Sequence, residues 1–396
     1  MNPQLHLTKS LLLPELDLVF IRKISEYSFA WIVQKRALGA VCPKCAHFSH
    51  SRYDKRKVSI KDTPITGKGV RLEILKHRYF CKTCKKPFTE PVPGILPRRK
   101  TTQRLRASVR WACMNFADLK KVSRQYALSS GFVYKTFYEQ LELQTRKQNR
   151  YPFSSSIGID EHVFGRKKGL GKREFVTMIV DHKNKKLHEV ALGRSHDALL
   201  NQLKHIEGRQ NVKTVTLDMS DSYKSFAKSF FPNAELVADR FHVQRLIQPI
   251  ILAKRISITG DKRKNPVRFL MNKNRRNLKY FEKSALDYWL KLHPEMNEIY
   301  SFKEAIARFY EIRGFNRAAL ILDKIIDGLL KSKIPELKTI ATTFTRWKNE
   351  ILNYFKYRIT NARVEGFNNV AKVIKRRAYG FRSFNNYRLR LLNACS

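Results

Sequence analysis

The first apolar runs of the chain are short and rich in β-branched and aromatic residues, a composition typical of strands. Two such runs lie within residues 17–38, and a third extends from Val70 to Phe80. A segment rich in proline, Pro87–Pro97, follows them and predicts a linker. The first 97 residues are therefore expected to form a small β-rich domain.

After this segment the apolar spacing becomes that of helices. Arg104–Phe116 predicts one helix and Asp118–Tyr126 a second, and Ser129 or Ser130 can cap a third that ends near Leu143. Two helices joined by a short turn are the arrangement of a helix-turn-helix, and an ordinary helical hairpin is the alternative.

A helix-turn-helix would present the start of its second helix to DNA. Here that helix would expose Ser130, Tyr134 and Lys135, while Val133 and Phe137 would face its neighbour. These three exposed residues are the first candidate DNA contacts.

From Ser156 onward strands and helices alternate. Three strand patterns in hairpins, the first two joined by a basic loop at 165–173, precede a helix, a strand, a second helix and a fifth strand. This order is expected of a ribonuclease-H-like α/β fold with a mixed five-stranded sheet. The expected strands are 157–164, 174–181, 187–192, 212–217 and 234–238, and the expected helices are 197–207 and 222–231.

The remaining pattern is helical. Residues 242–357 hold no strand pattern and are basic, aromatic and interrupted by prolines, which indicates an all-helical insertion; Asn361–Arg377 predicts one more helix. The expected domains are a zinc ribbon (1–97), a helix-turn-helix (98–150), the first part of a catalytic core (151–242), the helical insertion (243–358) and the last helix of the core (359–396).

The net charge of the chain indicates which class of molecule it binds. The chain holds 79 Lys and Arg against 33 Asp and Glu, a formal net charge of +46, and the excess runs along its whole length. Double-stranded DNA is the natural partner, because neutralising phosphates releases counterions. No apolar run is long enough to span a membrane, and the first eight residues lack the pattern of a secretory signal. A reducing, cytoplasmic location on the nucleoid is expected, with Cys113 and Cys395 as free thiols.

Four cysteines form two tight pairs, Cys42–Cys45 and Cys81–Cys84. Two such pairs can surround Zn²⁺ with a tetrahedron of sulfur, and strands entering them are typical of a zinc ribbon. The 35 residues between the pairs leave room for extra strands. His47 and His50 could also ligate, but four thiolates complete the shell, so both are expected to face solvent.

Two acids are placed by the expected strands. Asp160 lies in the first strand of the core, and Asp218 follows the fourth. These strands are neighbours in the expected order, so the two carboxylates should meet at one edge of the sheet. Two close carboxylates repel unless cations compensate them, and hard oxygen ligands suit Mg²⁺ or Mn²⁺. A pair of such ions can serve phosphodiester chemistry.

The last helix supplies a third acid, Glu365. At about 100° per residue, its apolar stripe lies apart from a face that carries Glu365, Asn369, Lys372 and Arg376. The helix can therefore pack on the sheet while Glu365 meets the metals and the other three follow a phosphate backbone. A solvated face with an incidental Glu is the alternative; Glu365 is the only acid after Glu350.

Other polar residues near these strands are weaker candidates. Asp221 could substitute for Asp218, whereas Glu161 should point to the opposite face from its neighbour in the strand. Asp239 and His242 follow the fifth strand and could position DNA or a leaving group, and Asp239 could equally cap a helix.

Together the modules and four motifs resemble bacterial insertion-sequence transposases of the ISL-three type. The motifs are Gly158–Glu161, Leu217–Tyr223, Ala238–Val243 and Asn361–Asn369. The resemblance implies a DDE transposase with the triad Asp160, Asp218 and Glu365, which hydrolyses a strand at each element end and joins the freed 3′-hydroxyl to target DNA. It implies that the zinc ribbon and the helix-turn-helix bind the terminal inverted repeats. Pairing two ends implies at least a dimer on DNA.

Two other functions are compatible with parts of this pattern. A DNA-binding regulator without catalysis would keep the basic surfaces but would be expected to lack one of the three acids. A metal-dependent nuclease that cuts without joining has the same residues, and only the end-binding modules favour the transposase.

Overall fold

The computed structural model describes residues 11–36, 38–115, 118–148, 151–166, 173–260 and 266–396. The chain divides into two compact units, residues 1–147 and 148–396. Finer domain boundaries remain predictions. Within the described ranges no helix is long and apolar enough to cross a membrane.

The first unit is built on a five-stranded sheet with a separate two-stranded hairpin. The order of the sheet is β1-β2-β6-β5, and β7 pairs with β6. One apolar core lies on this sheet and includes Trp31, Leu72 and Ile74. The strands are β1 (Leu16–Ser25), β2 (Ser28–Lys35), β3 (Ala40–Val41), β4 (Phe48–Ser49), β5 (Arg52–Ile65), β6 (Lys68–Cys81) and β7 (Lys86–Thr89).

Part of the segment Pro87–Pro97, which was expected to be a linker, belongs to a strand. Its first three residues belong to β7, and Phe88 lies opposite Tyr79 of β6. Both rings are buried beside the cysteines. The proline-rich composition hid this strand, which is an edge strand, where a proline interrupts no ladder on its outer side.

Three helices follow: α1 (Gln103–Asn115), α2 (Leu119–Gln125) and α3 (Ser130–Gln148). The predicted end of the first helix at Phe116 lies outside the described residues. Buried Asp62 of β5 ties α1 to the sheet, because it accepts hydrogen bonds from Thr102 (2.7 Å) and Arg104 (Nε, 2.8 Å). Ser129, not Ser130, caps α3 by accepting from the backbone N–H of Phe132 (3.3 Å).

The second unit contains the expected mixed sheet, in the order β10-β9-β8-β11-β12. The first three strands pair antiparallel, and β11 runs parallel to both β8 and β12. The predicted loop at 165–173 lies mostly outside the described residues. The strands are β8 (Ser156–Arg166), β9 (Arg173–Asp181), β10 (Lys186–Leu192), β11 (Thr214–Leu217) and β12 (Glu235–Ala238).

Alternation along β8 assigns its side chains to the two faces of the sheet. Ile157 and Ile159 belong to the large core shared with the central helices. Gly158 lies on the other face, where an added Cβ would come within 2.7 Å of Val364 and 2.9 Å of Asn361 Oδ1. Glycine at this position therefore allows the helix that contains both residues to lie against the sheet.

Helices cover both faces. On one face are α4 (His196–Leu203), α5 (Asp221–Phe230) and the helices of the insertion; on the other are α14 (Ala362–Arg377) and α15 (Phe384–Ala394), which share a core with β9 and β10. The sequence pattern left α15 undecided. The insertion comprises α6 (Arg240–Arg245), α7 (Gln248–Thr259), α8 (Pro266–Asn272), α9 (Tyr280–Leu292), α10 (Pro294–Phe309), α11 (Phe315–Lys331), α12 (Pro335–Arg346) and α13 (Lys348–Tyr357).

Candidate functional site

Three neighbouring parallel strands bring three aspartates side by side, Asp160 within β8 and the other two just after the ends of β11 and β12. The register pairs Thr216 of β11 with Gly158 of β8, and continuing it by two residues places Asp218 beside Asp160. Leu217 pairs with Ala238 of β12, so the next residue, Asp239, follows beside Asp218. Because side chains alternate along a strand, Asp160 and Asp218 share the face on which Gly158 meets α14.

The two inner aspartates are in an unfavourable environment for negative charge. Burial raises the pKa of Asp218 to about 6, and the nearby charge of Asp160 adds to the shift. Burial likewise raises the pKa of Asp160. The Oδ1 atom of Asp218 is buried and has no hydrogen-bond partner. An acceptor of this kind is suited to a cation that supplies the missing positive charge.

Asp239 and His242 form a fixed pair beside these acids. Asp239 caps α6 at the backbone N–H of Phe241, and its Oδ2 accepts a hydrogen bond from Nδ1 of His242 at 2.9 Å. That bond raises the pKa of His242, and the charges of Asp160 and Asp218 act in the same direction. Asp239 therefore caps a helix, which is one of the two roles that the sequence left open; its role in positioning DNA or a leaving group remains a prediction.

Two asparagines fix α14 against β8. Asn361 donates to the backbone carbonyl of Ile159 (3.2 Å) and accepts from the hydroxyl of Thr216 (2.5 Å). Two turns later, Asn368 donates to Oδ2 of Asp160 (2.8 Å), and its own Oδ1 is buried without a partner. The sequence alone did not predict a role for Asn368, although this residue and Asn369 belong to the motif Asn361–Asn369.

Glu365 lies between these two anchors along the helix. Helical geometry places it about 60° around the axis from Asn368 and about 40° from Asn361, at the edge of the face that meets β8. Glu365 is exposed, as are the residues at i+4, i+7 and i+11, namely Asn369, Lys372 and Arg376.

The carboxylates of the three acids in the predicted triad do not all lie within 4.8 Å of one another. Among the residues that the structure describes, the only group of three or more Cys, His, Asp or Glu ligand atoms within 4.8 Å of one another is that of the four cysteines. The assignment of Glu365 to the same site as Asp160 and Asp218 therefore remains a prediction.

Two other acids lie elsewhere. Glu161 points to the opposite face of the sheet, as expected, where it accepts from the hydroxyl of Tyr223 (3.0 Å) and contacts Arg194 (3.2 Å). Asp221 begins α5, is exposed, and forms an ion pair with Arg346 at 3.1 Å. Asp221 is exposed, whereas Glu161 and Asp218 are both partly buried but lie on opposite faces of the sheet.

The four cysteines of the first unit converge. Cys42 and Cys45 follow β3, Cys81 ends β6, and Cys84 lies in the turn before β7. Their sulfur atoms lie within 4.8 Å of one another, and those of Cys45 and Cys81 are 3.5 Å apart. Zn²⁺ binds sulfur at about 2.3 Å in a tetrahedron, so this donor set fits it.

The local backbone explains this convergence. The residue after each pair, Ala46 or Lys85, has a positive φ, which turns the chain sharply behind the second cysteine. Backbone N–H groups of Lys44 and Cys45 lower the pKa of Cys42 to about 7, which favours the thiolate that a metal requires. His47 and His50 are exposed, as expected of residues outside the shell.

The start of α3 borders a basic cavity of about 460 Å³ within the first unit. The three candidate DNA contacts, Ser130, Tyr134 and Lys135, are all exposed. The cavity next to them was not foreseen, because its basic walls come from separate segments. Its basic lining residues are Lys61, Arg71, Arg98, Arg99, Lys100 and Arg106.

Comparison with known proteins gives two family matches. A family described as transposase, of the ISL3 type with DDE chemistry, matches residues 157–391, and a family described as the zinc-finger of transposase IS204/IS1001/IS1096/IS1165 matches residues 39–84. The second match contains all four clustered cysteines.

Two individual relatives are also named as transposases. The chain is 25% identical to the transposase for insertion sequence element IS1001 of Bordetella parapertussis over 365 residues, 89% of this chain and 87% of that protein. It is 23% identical to the transposase for IS1557 of Mycobacterium tuberculosis over 274 residues, 60% of this chain and 59% of the relative. A 60-residue match to an ATP-dependent protease of Lactococcus lactis, 43% identical, covers only 15% of this chain.

Proposed function

This chain belongs to the ISL3 family of DDE transposases, and from that premise we propose that it binds the terminal inverted repeats of an insertion sequence, cleaves one strand at each end and joins the freed ends to target DNA. The observation that carries the proposal is the parallel register that sets Asp160 beside Asp218, under a helix held to the same strand by Asn361 and Asn368. We place this sheet in a ribonuclease-H-like fold.

The proposed metal ligands are Asp160, Asp218 and Glu365. The buried, unpartnered Oδ1 of Asp218 and the raised pKa of both aspartates are what a site for divalent cations would show before the cation binds. Mg²⁺ or Mn²⁺ would supply Lewis acidity toward a phosphodiester. The side chain of Glu365 would reach the site from the edge of α14.

Of the other residues at the site, one orients a carboxylate and two hold a proton. Asn368 fixes the carboxylate of Asp160 through Oδ2, which leaves Oδ1 near the backbone N–H of Glu161 (2.8 Å). Asp239 holds His242 through Nδ1, so the remaining ring nitrogen, Nε2, can carry a proton toward a phosphate oxygen of bound DNA. The raised pKa of His242 keeps that proton at neutral pH for a larger fraction of molecules.

The reaction has two steps, and in each step one bond to phosphorus forms and one bond to phosphorus breaks. In the first, water loses a proton and its oxygen bonds to phosphorus, while the bond from phosphorus to the 3′-oxygen breaks and that oxygen takes a proton to become a hydroxyl. In the second, this 3′-hydroxyl loses its proton and bonds to a phosphorus of the target strand, while the bond from that phosphorus to the target 3′-oxygen breaks and the released oxygen takes a proton. No covalent bond to the protein is formed.

The first unit is proposed to recognise the ends. The zinc ribbon would hold the sheet, α3 would present Ser130, Tyr134 and Lys135 to the bases, and the basic cavity would hold backbone phosphates. On α14, Asn369, Lys372 and Arg376 would follow the strand that is cut. Joining two ends requires two active sites, so we propose a dimer or higher assembly on DNA, in the bacterial cytoplasm.

A supercoiled plasmid that carries the element tests the proposal directly. With Mg²⁺ the purified protein should nick at the element ends and produce joined products, both mapped by sequencing the 3′ ends. Glu365→Gln should lower cleavage at least about 100-fold, the scale for loss of one transition-state electrostatic contact, with little change in end binding.

Glu336→Gln is the matched control, because Glu336 also lies in the first turn of its helix and is exposed. Wild-type cleavage by Glu365→Gln would remove Glu365 from the site. Cutting without joining would favour the nuclease instead of the transposase.

Salt should weaken end binding steeply. Arg99 and Arg106 form ion pairs with Glu139. If the other four basic residues of the cavity each neutralise one phosphate, affinity should fall about 100-fold between 50 and 200 mM salt. Lys100→Ala should lower the slope of log affinity against log salt by about one, whereas Lys23→Ala on exposed β1 should leave it nearly unchanged. Fluorescence anisotropy with an element-end duplex measures this, and equal slopes for all three proteins would contradict the role of the cavity.

A further inference from the structure

A second cavity, of about 550 Å³, lies beside the candidate active site in the helical insertion. It is bounded by α6, α7 and α8, and His242 lines it together with Arg245, Arg255 and Arg268. Apolar side chains of α7, including Leu252, complete the wall, and none of its described lining residues is acidic. Three arginines thus lie around one cavity, and its fourth basic residue, His242, is paired with Asp239.

Arg255 is the unusual member of this set. It is 0% exposed, and its Nε and Nη2 atoms have no hydrogen-bond partner among the residues that the structure describes. Its Nη1 makes one long contact, 3.4 Å to the hydroxyl of Thr259. The adjacent Lys254, by contrast, forms an ion pair with Glu295. A buried guanidinium without a counter-ion destabilises a folded protein, so a retained one calls for a ligand.

We propose that this cavity is a phosphate site, and that the phosphate is one of the DNA backbone held next to the strand that is cut. The proposal rests on the proposed function for its choice of DNA. A phosphate has the charge that Arg255 lacks, and its oxygens match the planar set of guanidinium donors. His242 belongs to both places, since it lines the cavity and is held by Asp239 beside Asp160 and Asp218.

Inorganic phosphate probes the site without DNA. Thermal unfolding of the full-length protein is followed as phosphate replaces chloride at constant ionic strength. The wild-type melting temperature should rise in a saturating manner, and Arg255→Met should abolish the rise. This variant should also melt at the same or a higher temperature without phosphate, because it removes an unpaired buried charge.

Two further variants make this result decisive. Lys254→Met removes one charge from the same helix outside the cavity and should keep the full response. Arg245→Met, at an exposed lining position, should reduce it, which covers the case in which Arg255→Met does not fold. A wild-type protein with no phosphate-specific rise, or an Arg255→Met protein that keeps it, overturns the site.

Duplexes with a single uncharged methylphosphonate linkage separate DNA from free phosphate as the source of the anion. Scanned around the cleavage position, one linkage should weaken wild-type binding about 10- to 100-fold, the scale of a hydrogen bond to a charged group. The same linkage should have no effect on Arg255→Met. If inorganic phosphate binds but no linkage depends on Arg255, the assignment to DNA is wrong and the cavity takes free phosphate.

The proposed function can fail independently. Asp218→Asn should respond to inorganic phosphate as the wild type does, since Asp218 does not line the cavity. A protein that binds phosphate but never cleaves DNA would refute the transposase mechanism and leave the phosphate site in place.

Discussion

Asp218→Asn is expected to lower strand cleavage about 1,000-fold or more while end binding stays nearly unchanged. The substitution keeps the size of the side chain but removes the buried oxygen charge that would hold a divalent cation. Loss of that contact corresponds to about 4 kcal/mol of transition-state stabilisation. The measurement is the single-turnover rate of nicking on an element-end duplex in Mg²⁺, with binding measured in parallel in Ca²⁺.

The same substitution should stabilise the protein when no metal is present. The pKa of Asp218 is raised from 3.8 to about 6, mainly by burial. A carboxyl group with a raised pKa in the folded state contributes stability below pH 3.8 and loses it as pH rises through about 6. Asp218→Asn should therefore be more stable by about 3 kcal/mol at pH 8, and the difference should disappear near pH 4.

Denaturant unfolding at several pH values in buffer without added divalent cations measures this difference, and added Mg²⁺ should raise the stability of the wild type only. Asp221→Asn is the control. Asp221 lies three residues further on but is exposed and paired with Arg346, so its removal should change neither cleavage nor the pH dependence. If Asp221→Asn abolished cleavage and Asp218→Asn did not, the two roles would have to be exchanged.

Cys81→Ser should release zinc and unfold much of the first unit. Cys81 is fully buried at the end of β6, the strand that pairs with β2, β5 and β7. Structural zinc contributes about 10–16 kcal/mol to the folding of small zinc modules. Replacing a residue that only hydrogen-bonds to a metal ligand lowers metal affinity about 10- to 100-fold, so the loss of one of the four thiolates should lower it by more.

The expected result is one zinc per chain in the wild type and much less in Cys81→Ser, measured by elemental analysis of the purified proteins. Specific end binding should fall with the zinc content. Cys113→Ser is the matched control, because Cys113 is a buried thiol of the same unit outside the cluster. A wild-type protein without zinc would refute the ribbon as a metal site.

The pattern of the chain predicted the order of elements well. The alternation along β8 correctly separated Glu161 from Asp160, because side chains in a strand must alternate whatever packs on them. The periodicity of α14 likewise predicted that Val364 and Ala371 are buried and that Lys372 is exposed. Local geometry is sufficient for statements of this kind.

Predictions failed where composition and packing disagree. Pro87–Thr89 was assigned to a linker from its prolines, yet it pairs with β6 because Phe88 fills space next to the cysteines. The last helix, α15, has a weak pattern of its own and was left undecided; it is defined by burial of Tyr387 and Leu391 against the sheet. Neither burial could be read from the segment alone.

The sequence by itself predicted the cluster of four cysteines, the strand that carries Asp160, the strand end that carries Asp218 and the helix that carries Glu365, since spacing and periodicity are local properties of the chain. Only the tertiary structure showed that Asn368 binds Asp160 across 208 residues and that Arg255 is buried beside His242 without a counter-ion. Contacts between residues so far apart in sequence depend on strand register and on how helices pack against a sheet. Both follow from the packing of the whole core, in which each element restricts the positions of the elements next to it.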